Sequence, residues 1–432
     1  MKKYTYAEAI DFFKNMPHFT PPKEGTSPAK DLFSLDAELT LLEKLGRPQD
    51  KLKYVHIAGT NGKGSTTAYL ESILNEASVV TGAFTSPFLY RYNEMFKVNG
   101  QDISDQDFAD TFSLVKEKYD ELVGKEIFPS EYEILTVMAF VYFIKKGCSL
   151  VLMEVSLGGR VDTTNVIPSP ELTVITPISY DHMTILGHTL TEIATEKAGI
   201  IKNGSRVVSA SQEEEVVSVL EKVCKSKEVE IAFVDKALCI ERNIKGQRFI
   251  LPGEDKEFVT GLLGIYQIDN GALAIRAARI LRTKGFDISE ESIQRGIEKA
   301  SWFGRFTLVN ERPIVIVDGG HNRQGAKVLK DSLEAYFPGR KILFALGILK
   351  DKEVDLILDA LLPIAKEVYT MDVPSARTMK KEELSLMIRS RGVKSSTIEK
   401  LEDINDTIGP DEILCIAGSL YLISEIKRGK RQ

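Results

Sequence analysis

Tryptophan occurs once in 432 residues, histidine five times and cysteine four times. The cysteines (Cys148, Cys224, Cys239 and Cys415) are scattered, with no C-x-x-C spacing. That argues against a thiolate metal site or a disulfide framework and fits a reducing, cytoplasmic setting. Cys148 and Cys415 border or sit in strand-like segments and read as core residues. Basic charge is also short: 56 Lys and Arg against 62 Asp and Glu leave a net charge of −6. A broad nucleic-acid surface needs a basic excess, so no nucleic-acid partner is expected, although a local basic pocket for a small anion remains open. Long apolar runs are missing too. The longest, "ILTVMAFVYFI" at 134–144, is too short to span a bilayer and reads as a buried helix, so no membrane partner is expected. The N-terminal "MKKYTYAEAIDFFKNM" has Lys2 and Lys3 but no apolar run behind them, which makes a poor signal peptide.

What is present is alternation. Strand-like and helix-like segments succeed one another almost throughout, at a length that calls for two domains. The expected fold class is α/β: an N-terminal P-loop-type, doubly wound, mainly parallel sheet with a small β-rich appendage, then a C-terminal Rossmann-like α/β domain. The cut is expected near Ala300, giving domains 1–300 and 301–432. The pattern loosens after about residue 235 into hairpin-like "LCIERNIKGQRFILPG", and a second βα series begins at "PIVIVDGGHNRQGA". A Pro/Gly/Ser-rich loop is expected at 20–30.

The strand "KYVHIA" (53–58) runs into "GTNGKGS" and then into a helix with an apolar stripe. This resembles a Walker A loop whose spacing is altered, because Gly64 separates Lys63 from Ser65. Backbone N–H groups at a helix N-terminus, unobstructed by Cβ atoms, can surround phosphate oxygens. Gly59, Gly62 and Gly64 permit that approach, Lys63 adds charge and Ser65 offers a hydroxyl to Mg²⁺; the plainer reading is a βα turn. Two later strands, "SLVLMEV" and "LTVITPI", bring Glu154, Asp181 and His182 toward what would be the same sheet edge. A carboxylate there suits Mg²⁺, though either residue alone could be solvated or structural.

The helix "HTLTEIATEKAGIIK" starts with a capping box, Thr189 and Glu192. Lys197 has Ile193, Ala194, Ile200 and Ile201 at spacings of three and four, which puts it on the apolar face. Burial lowers a lysine pKa, and a neutral amine can add CO₂ to form a carbamate. The alternative is a lysine whose ammonium snorkels to water. Further on, Arg305 in "WFGRF", Asp318 at a strand end, and His321 and Asn322 in the loop after it suggest a face directed at a ligand.

Taken in order, "HIAGTNGKGSTTA", "TSPFLYRYNE", "YEILTVMAF", "EVSLGGRVDTTNV", "DHMTILGHTLTEIATEKAGIIK", "FGRF", "DGGHNRQGA", "LGILKDKE" and "GSLYL" resemble the folylpolyglutamate synthase and dihydrofolate synthase family of the ATP-dependent Mur ligase superfamily. The resemblance covers nearly the whole chain, and G-T-N-G-K-G-[ST] is that family's usual phosphate loop. It implies an ADP-forming ligase that adds L-glutamate to the γ-carboxylate of folate through an acyl phosphate, and that also takes dihydropteroate if bifunctional. By resemblance, Gly59, Thr60, Asn61, Gly62, Lys63, Gly64 and Ser65 would hold ATP, joined by Asn270, Arg305 and Asp318. Ser86, Glu154 and His182 would bind two Mg²⁺ ions, and Lys197 would be carbamylated. Lys63, His182 and Lys197 would form the catalytic set. Glu131, Tyr132, Val161, Asp162 and Thr163 would lie near the pterin, and His321 on the glutamate side of a cleft closed by the second domain. A monomer is expected. The helix "LDAELTLLEKLG" lacks the family's Gly-Leu-Glu-Arg wording, so no pterin contact is assigned there. Competing readings are a Mur-type ligase of UDP-sugar peptides and a P-loop NTPase that is not a ligase.

Overall fold

The computed structural model describes residues 2–17 and 34–430, so the loop expected at 20–30 lies outside the described residues. Two compact units divide the chain, one of Met1–Lys236 with Asp269–Lys299 and one of Ala237–Ile268 with Ala300–Gln432. The last passage between them falls at Ala300. The β-rich segment 237–268, expected as an appendage of the first domain, groups with the second unit. Local hydrogen bonds account for this: Gly264 N–H donates to the Tyr336 hydroxyl (3.2 Å) and Ile265 N–H to Ser332 Oγ (3.2 Å), both on the helix Arg323–Tyr336.

The first unit is built on eight strands: β1 (Tyr54–Ala58), β2 (Thr81–Phe84), β3 (Phe96–Val98), β4 (Gln101–Asp102), β5 (Leu150–Glu154), β6 (Leu172–Ile175), β7 (Arg206–Ala210) and β8 (Ile231–Val234). Their order across the sheet is β4-β3-β2-β5-β1-β6-β7-β8. All pairs are parallel except β2/β3 and β3/β4, an antiparallel margin at one edge. Every residue of β1, β5 and β6 is buried, as continuous apolar strands covered on both faces must be.

The apolar run at 134–144 forms the buried helix Glu131–Lys145, opened by a Ser130/Glu133 capping box. It seals an aromatic core with Phe13, Tyr54, Phe84, Phe96, Phe108 and Phe112, each contributing on the order of 2–3 kcal/mol through burial. Among the described residues no helix is long and apolar enough to cross a membrane.

In the second unit, β9 (Leu238–Asn243), β10 (Gly246–Ile250) and β11 (Glu257–Thr260) form an antiparallel sheet. The hairpin reading of that segment is therefore realised. β12 (Thr307–Glu311), β13 (Ile314–Asp318), β14 (Ile342–Leu346), β15 (Ala365–Thr370), β16 (Ser395–Thr397) and β17 (Ile413–Ala417) make a six-stranded sheet. Its order is β12-β13-β17-β14-β15-β16, parallel apart from the β12/β13 pair.

Candidate active site

Strand order creates the site in the first unit. From β1 the chain moves to one side of the sheet to lay down β2 and β5, then crosses β1 to lay down β6. β1 is thus a topological switch point, and open parallel sheets bind ligands beyond the carboxyl ends of strands at such a point. Ile57 pairs with Glu154 on one side and Val174 on the other, so the loops leaving β1, β5 and β6 start next to one another.

The glycine loop is seated against the β6 exit. Gly59 has φ +148°, and a Cβ there would lie 1.9 Å from Thr176 Oγ1 and 2.8 Å from the Thr176 carbonyl oxygen. Gly62 has φ +88°, and a Cβ would meet Asn270 Oδ1 at 2.5 Å, so Asn270 packs on the loop. Thr60 and Asn61 are held sideways: both N–H groups donate to the Pro177 carbonyl (2.9 and 3.3 Å). Thr60 Oγ1 accepts from Ser179 N–H and donates to the Ser179 carbonyl, both at 3.0 Å, and Asn61 Nδ2 donates to Ser179 Oγ at 3.3 Å.

The following helix, Lys63–Glu76, has no side-chain cap at its N-terminus. The helices Asp105–Val123, Glu131–Lys145 and Leu190–Ala198 each carry a Ser or Thr cap. The first N–H groups of an uncapped helix lack intrahelical acceptors and suit an anion; here Lys63, Gly64 and Ser65 supply that turn.

Two ammonium groups meet on one carbonyl. Lys63 Nζ donates to Gly59 O at 3.1 Å and to Thr60 O at 3.3 Å, while Lys197 Nζ donates to Gly59 O at 2.9 Å. Lys197 is only 5% exposed, so it does not snorkel to water. Its helix, Leu190–Ala198, begins with the expected Thr189/Glu192 capping box and buries Ile193 and Ala194 on the same side. Burial foremost, then the Lys63 charge, push the Lys197 pKa down from 10.5 to about 7, against the opposing pull of Asp181 and Asp162.

On the β5 side, Glu154 is buried at 3% exposure. Its neighbourhood is marked by the Tyr132 hydroxyl, which is surrounded by Asp162, Ser86, Ser156 and Glu154; burial first and then Asp162 push the phenol pKa up. Among the described residues that hydroxyl has no hydrogen-bond partner. Glu131 accepts from the Tyr92 hydroxyl at 2.6 Å, and Thr163 Oγ1 lies 2.7 Å from Thr136 Oγ1.

Asp162 shapes its own loop. Its carboxylate accepts from the N–H groups of Ser156 (3.0 Å), Leu157 (2.8 Å) and Thr164 (3.0 Å) and from Thr164 Oγ1 (2.5 Å). Thr164 Oγ1 in turn lies 2.8 Å from His56 Nε2 on β1. Because the Thr164 proton goes to Asp162, His56 must carry its proton on Nε2. Val161 is half-buried on this loop. His182 takes a left-handed backbone (φ 49°), caps the short helix Met183–Leu186, and keeps its imidazole 44% exposed, 3.9 Å from Asp181.

Several residues here escaped the sequence reading. Thr176, Pro177 and Ser179 position the glycine loop, and a polar run directly after an apolar strand was the available signal. Glu38 gave none. It is fully buried, among the described residues neither oxygen has a hydrogen-bond partner, and burial, then Glu133 and Asp162, hold its carboxyl well above the usual range.

Among the described residues no three His, Cys, Asp or Glu side chains cluster into a metal cage. Mg²⁺ commonly takes one or two carboxylates and fills its remaining positions with water and substrate phosphate. A single buried carboxylate at the rim, Glu154, with serine hydroxyls beside the phosphate loop, is a donor set of that kind.

In the second unit Asp318 ends β13, fully engaged. Its oxygens accept from Phe306 N–H (2.8 Å), Tyr266 Oη (3.0 Å) and Gly320 N–H (2.7 Å). Burial raises its pKa, and the Arg305 charge opposes the rise. His321 Nδ1 lies 3.2 Å from the Gly319 carbonyl, and Asn322 caps the helix Arg323–Tyr336.

The comparisons with known proteins agree with this fold. Residues 57–278 match the Mur ligase middle domain, and residues 304–420 match the Mur ligase glutamate ligase domain. A dihydrofolate synthase/folylpolyglutamate synthase of Bacillus subtilis is 37% identical, covering 90% of this chain and 93% of its own. The Mycobacterium tuberculosis folylpolyglutamate synthase, solved with ADP and AMPPCP, superposes with a TM-score of 0.87 at 28% identity, over 99% of this chain and 98% of that one. An FPGS–AMPPCP–folate complex superposes with a TM-score of 0.83 at 28% identity, over 99% and 100%. Fold and rim together define a Mur-type ligase. Within that class the chain belongs to the folylpolyglutamate synthase/dihydrofolate synthase family.

Proposed function

We propose that this protein is an ATP-dependent amide ligase that joins L-glutamate to the γ-carboxylate of folate, with dihydropteroate as a second acceptor, as the double name of the Bacillus relative suggests. The meeting of Lys63 and Lys197 on the Gly59 carbonyl, beside an uncapped helix N-terminus at the switch point, carries the reading. A carboxylate is a poor electrophile. Its oxygen first attacks the γ-phosphorus of ATP, giving an acyl phosphate and ADP. The glutamate amine then adds to the acyl carbon, loses a proton, and the tetrahedral adduct expels phosphate.

The first turn at Lys63–Ser65 binds the phosphates through backbone N–H groups, and Lys63 neutralises charge on the phosphoryl group in transit. Glu154, Ser86 and His182 are the residues that would hold Mg²⁺, which when bound supplies further charge neutralisation on the phosphates. Lys197 is the candidate carbamate: its neutral amine adds to CO₂, releasing a proton and leaving an anion next to Lys63 in place of a second cation. Tyr132, Glu131, Val161, Asp162 and Thr163 form the pterin-side candidates.

The test is ADP release with ATP, tetrahydrofolate or dihydropteroate, and glutamate, each omitted in turn, with a UDP-sugar peptide as a competing acceptor. Release should require a folate-type acceptor and glutamate together. Turnover independent of glutamate, or acceptance of the UDP-sugar peptide alone, defeats the proposal. Lys197→Ala should lose activity and regain part of it with a short carboxylate; full activity without additive would defeat the carbamate.

A further inference from the structure

Two residues beyond β7, Gln212 turns its side-chain amide back onto the segment leaving β6. Its Oε1 accepts from Ile178 N–H at 3.0 Å, and its Nε2 donates to the Thr176 carbonyl at 3.1 Å and to Ser209 Oγ at 3.1 Å. The backbone ladder between β6 and β7 stops at the pair Ile175 and Ser209. Pro177 explains why it stops, since it has no N–H to offer a neighbouring strand. A primary amide presents a donor and an acceptor in one plane, as a peptide does. The Gln212 side chain therefore stands in for the next peptide unit and extends the ladder across residues 176–178.

The other edge of that same segment holds the phosphate loop. Thr176 N–H donates to the Ala58 carbonyl at 2.8 Å, Pro177 O takes the N–H groups of Thr60 and Asn61, and Ser179 exchanges hydrogen bonds with Thr60. Residues 176–179 are thus one extended layer, gripped by the glycine loop on one edge and by Gln212 on the other. The layer leads through Tyr180 directly to Asp181 and His182.

We propose that Gln212 is a positioning residue for nucleotide binding. It fixes the 176–178 backbone from behind, which sets the Pro177 carbonyl and Ser179, and through them Thr60 and Asn61 ahead of the phosphate-binding turn. The inference rests on the ATP reading above and assigns Gln212 no direct contact with substrate.

Gln212→Glu retains the shape and the Oε1 acceptor but turns an oxygen, instead of a donor, toward the Thr176 carbonyl; Gln212→Ala removes the clasp altogether. Ser205→Ala is the control, because the hydrogen bonds it deletes, the 3.1 Å hydroxyl pair with Thr173 and the 3.0 Å bond to the Arg206 carbonyl, lie at the far end of the same two strands. ADP affinity by titration calorimetry, KM for each substrate and Tm are measured on all four proteins. Loss of the Nε2 hydrogen bonds should weaken ADP binding and raise KM for ATP by about tenfold in both Gln212 variants. KM for folate and glutamate should move less than twofold, and Ser205→Ala should match wild type throughout. ADP affinity within twofold of wild type in whichever Gln212 variant folds overturns the inference. So does a parallel rise of all three KM values in step with a fallen Tm. A wild-type protein that binds no ADP would overturn the ATP reading itself, and the wild-type baseline separates that failure from a failure of Gln212 alone.

Discussion

Replacing Lys197 with methionine should stabilise the protein while abolishing ligation. Burial and Lys63 bring the lysine pKa from 10.5 to about 7. A displacement of that size makes the charged amine ~5 kcal/mol less favourable in the folded chain than in the unfolded one. At pH 7 the folded amine can shed its proton, so ~4 kcal/mol of the penalty is felt. Methionine fills a similar volume without charge and forfeits the hydrogen bond to Gly59, worth about 1–2 kcal/mol. Lys63 still donates to that oxygen at 3.1 Å, so the carbonyl is not orphaned. The expected gain at pH 7 is therefore about 2–3 kcal/mol.

Its pH dependence follows from the direction of the shift. Between about 7 and 10.5 the unfolded chain holds a proton that the folded chain lacks, so wild-type stability rises with pH across that window. The advantage of Lys197→Met should accordingly shrink by ~1.4 kcal/mol per pH unit and vanish before the upper limit. Urea unfolding followed by circular dichroism at pH 7, 8 and 9, in CO₂-depleted buffer that keeps the amine unmodified, measures both features. A methionine variant less stable than wild type at pH 7, or a gap that fails to narrow by pH 9, would refute the burial argument.

Two other substitutions probe the frame around the site. Gly59→Ala forces a Cβ to within 1.9 Å of Thr176 Oγ1 at φ +148°, and should cost about 2–4 kcal/mol in chemical denaturation and weaken ADP binding at least about tenfold. The double variant with Thr176→Ala should recover only part, because the Thr176 carbonyl still lies 2.8 Å from that Cβ; full recovery would contradict the backbone clash. Glu38→Leu should stabilise by about 1–3 kcal/mol at neutral pH, since it removes a fully buried acid with no hydrogen-bond partner among the described residues. The Glu38 carboxyl is held well above its ordinary 4.5, so wild-type stability falls as pH rises from 4.5 toward the folded value. Melting at pH 5 and pH 7 should show the leucine advantage growing with pH, and an equal gap at both would count against the assignment.

Local chemistry was legible along the chain. The glycine loop, the cap at Thr189, the apolar strands and the apolar setting of Lys197 are all statements about neighbours within one or two turns, where spacing dictates geometry. The fold class followed from the alternation of elements, and the expected boundary at Ala300 used the same kind of signal. Strand order did not follow. That β5 inserts between β2 and β1 while β6 lies across β1 rests on pairings such as Thr81 with Leu150, Tyr54 with Val151 and Val55 with Leu172, far beyond any local pattern, yet this order alone places the ends of β1, β5 and β6 side by side.

Tertiary packing likewise decided which oxygen Lys197 would meet, that Asp162 spends its carboxylate on its own loop, that Glu38 is sealed from water, and that Gln212 completes a ladder Pro177 cannot. Residue identity and short-range periodicity therefore determined the parts list and the local shapes. Contacts between segments distant in sequence have no local signature, so only the folded sheet could turn those parts into a site.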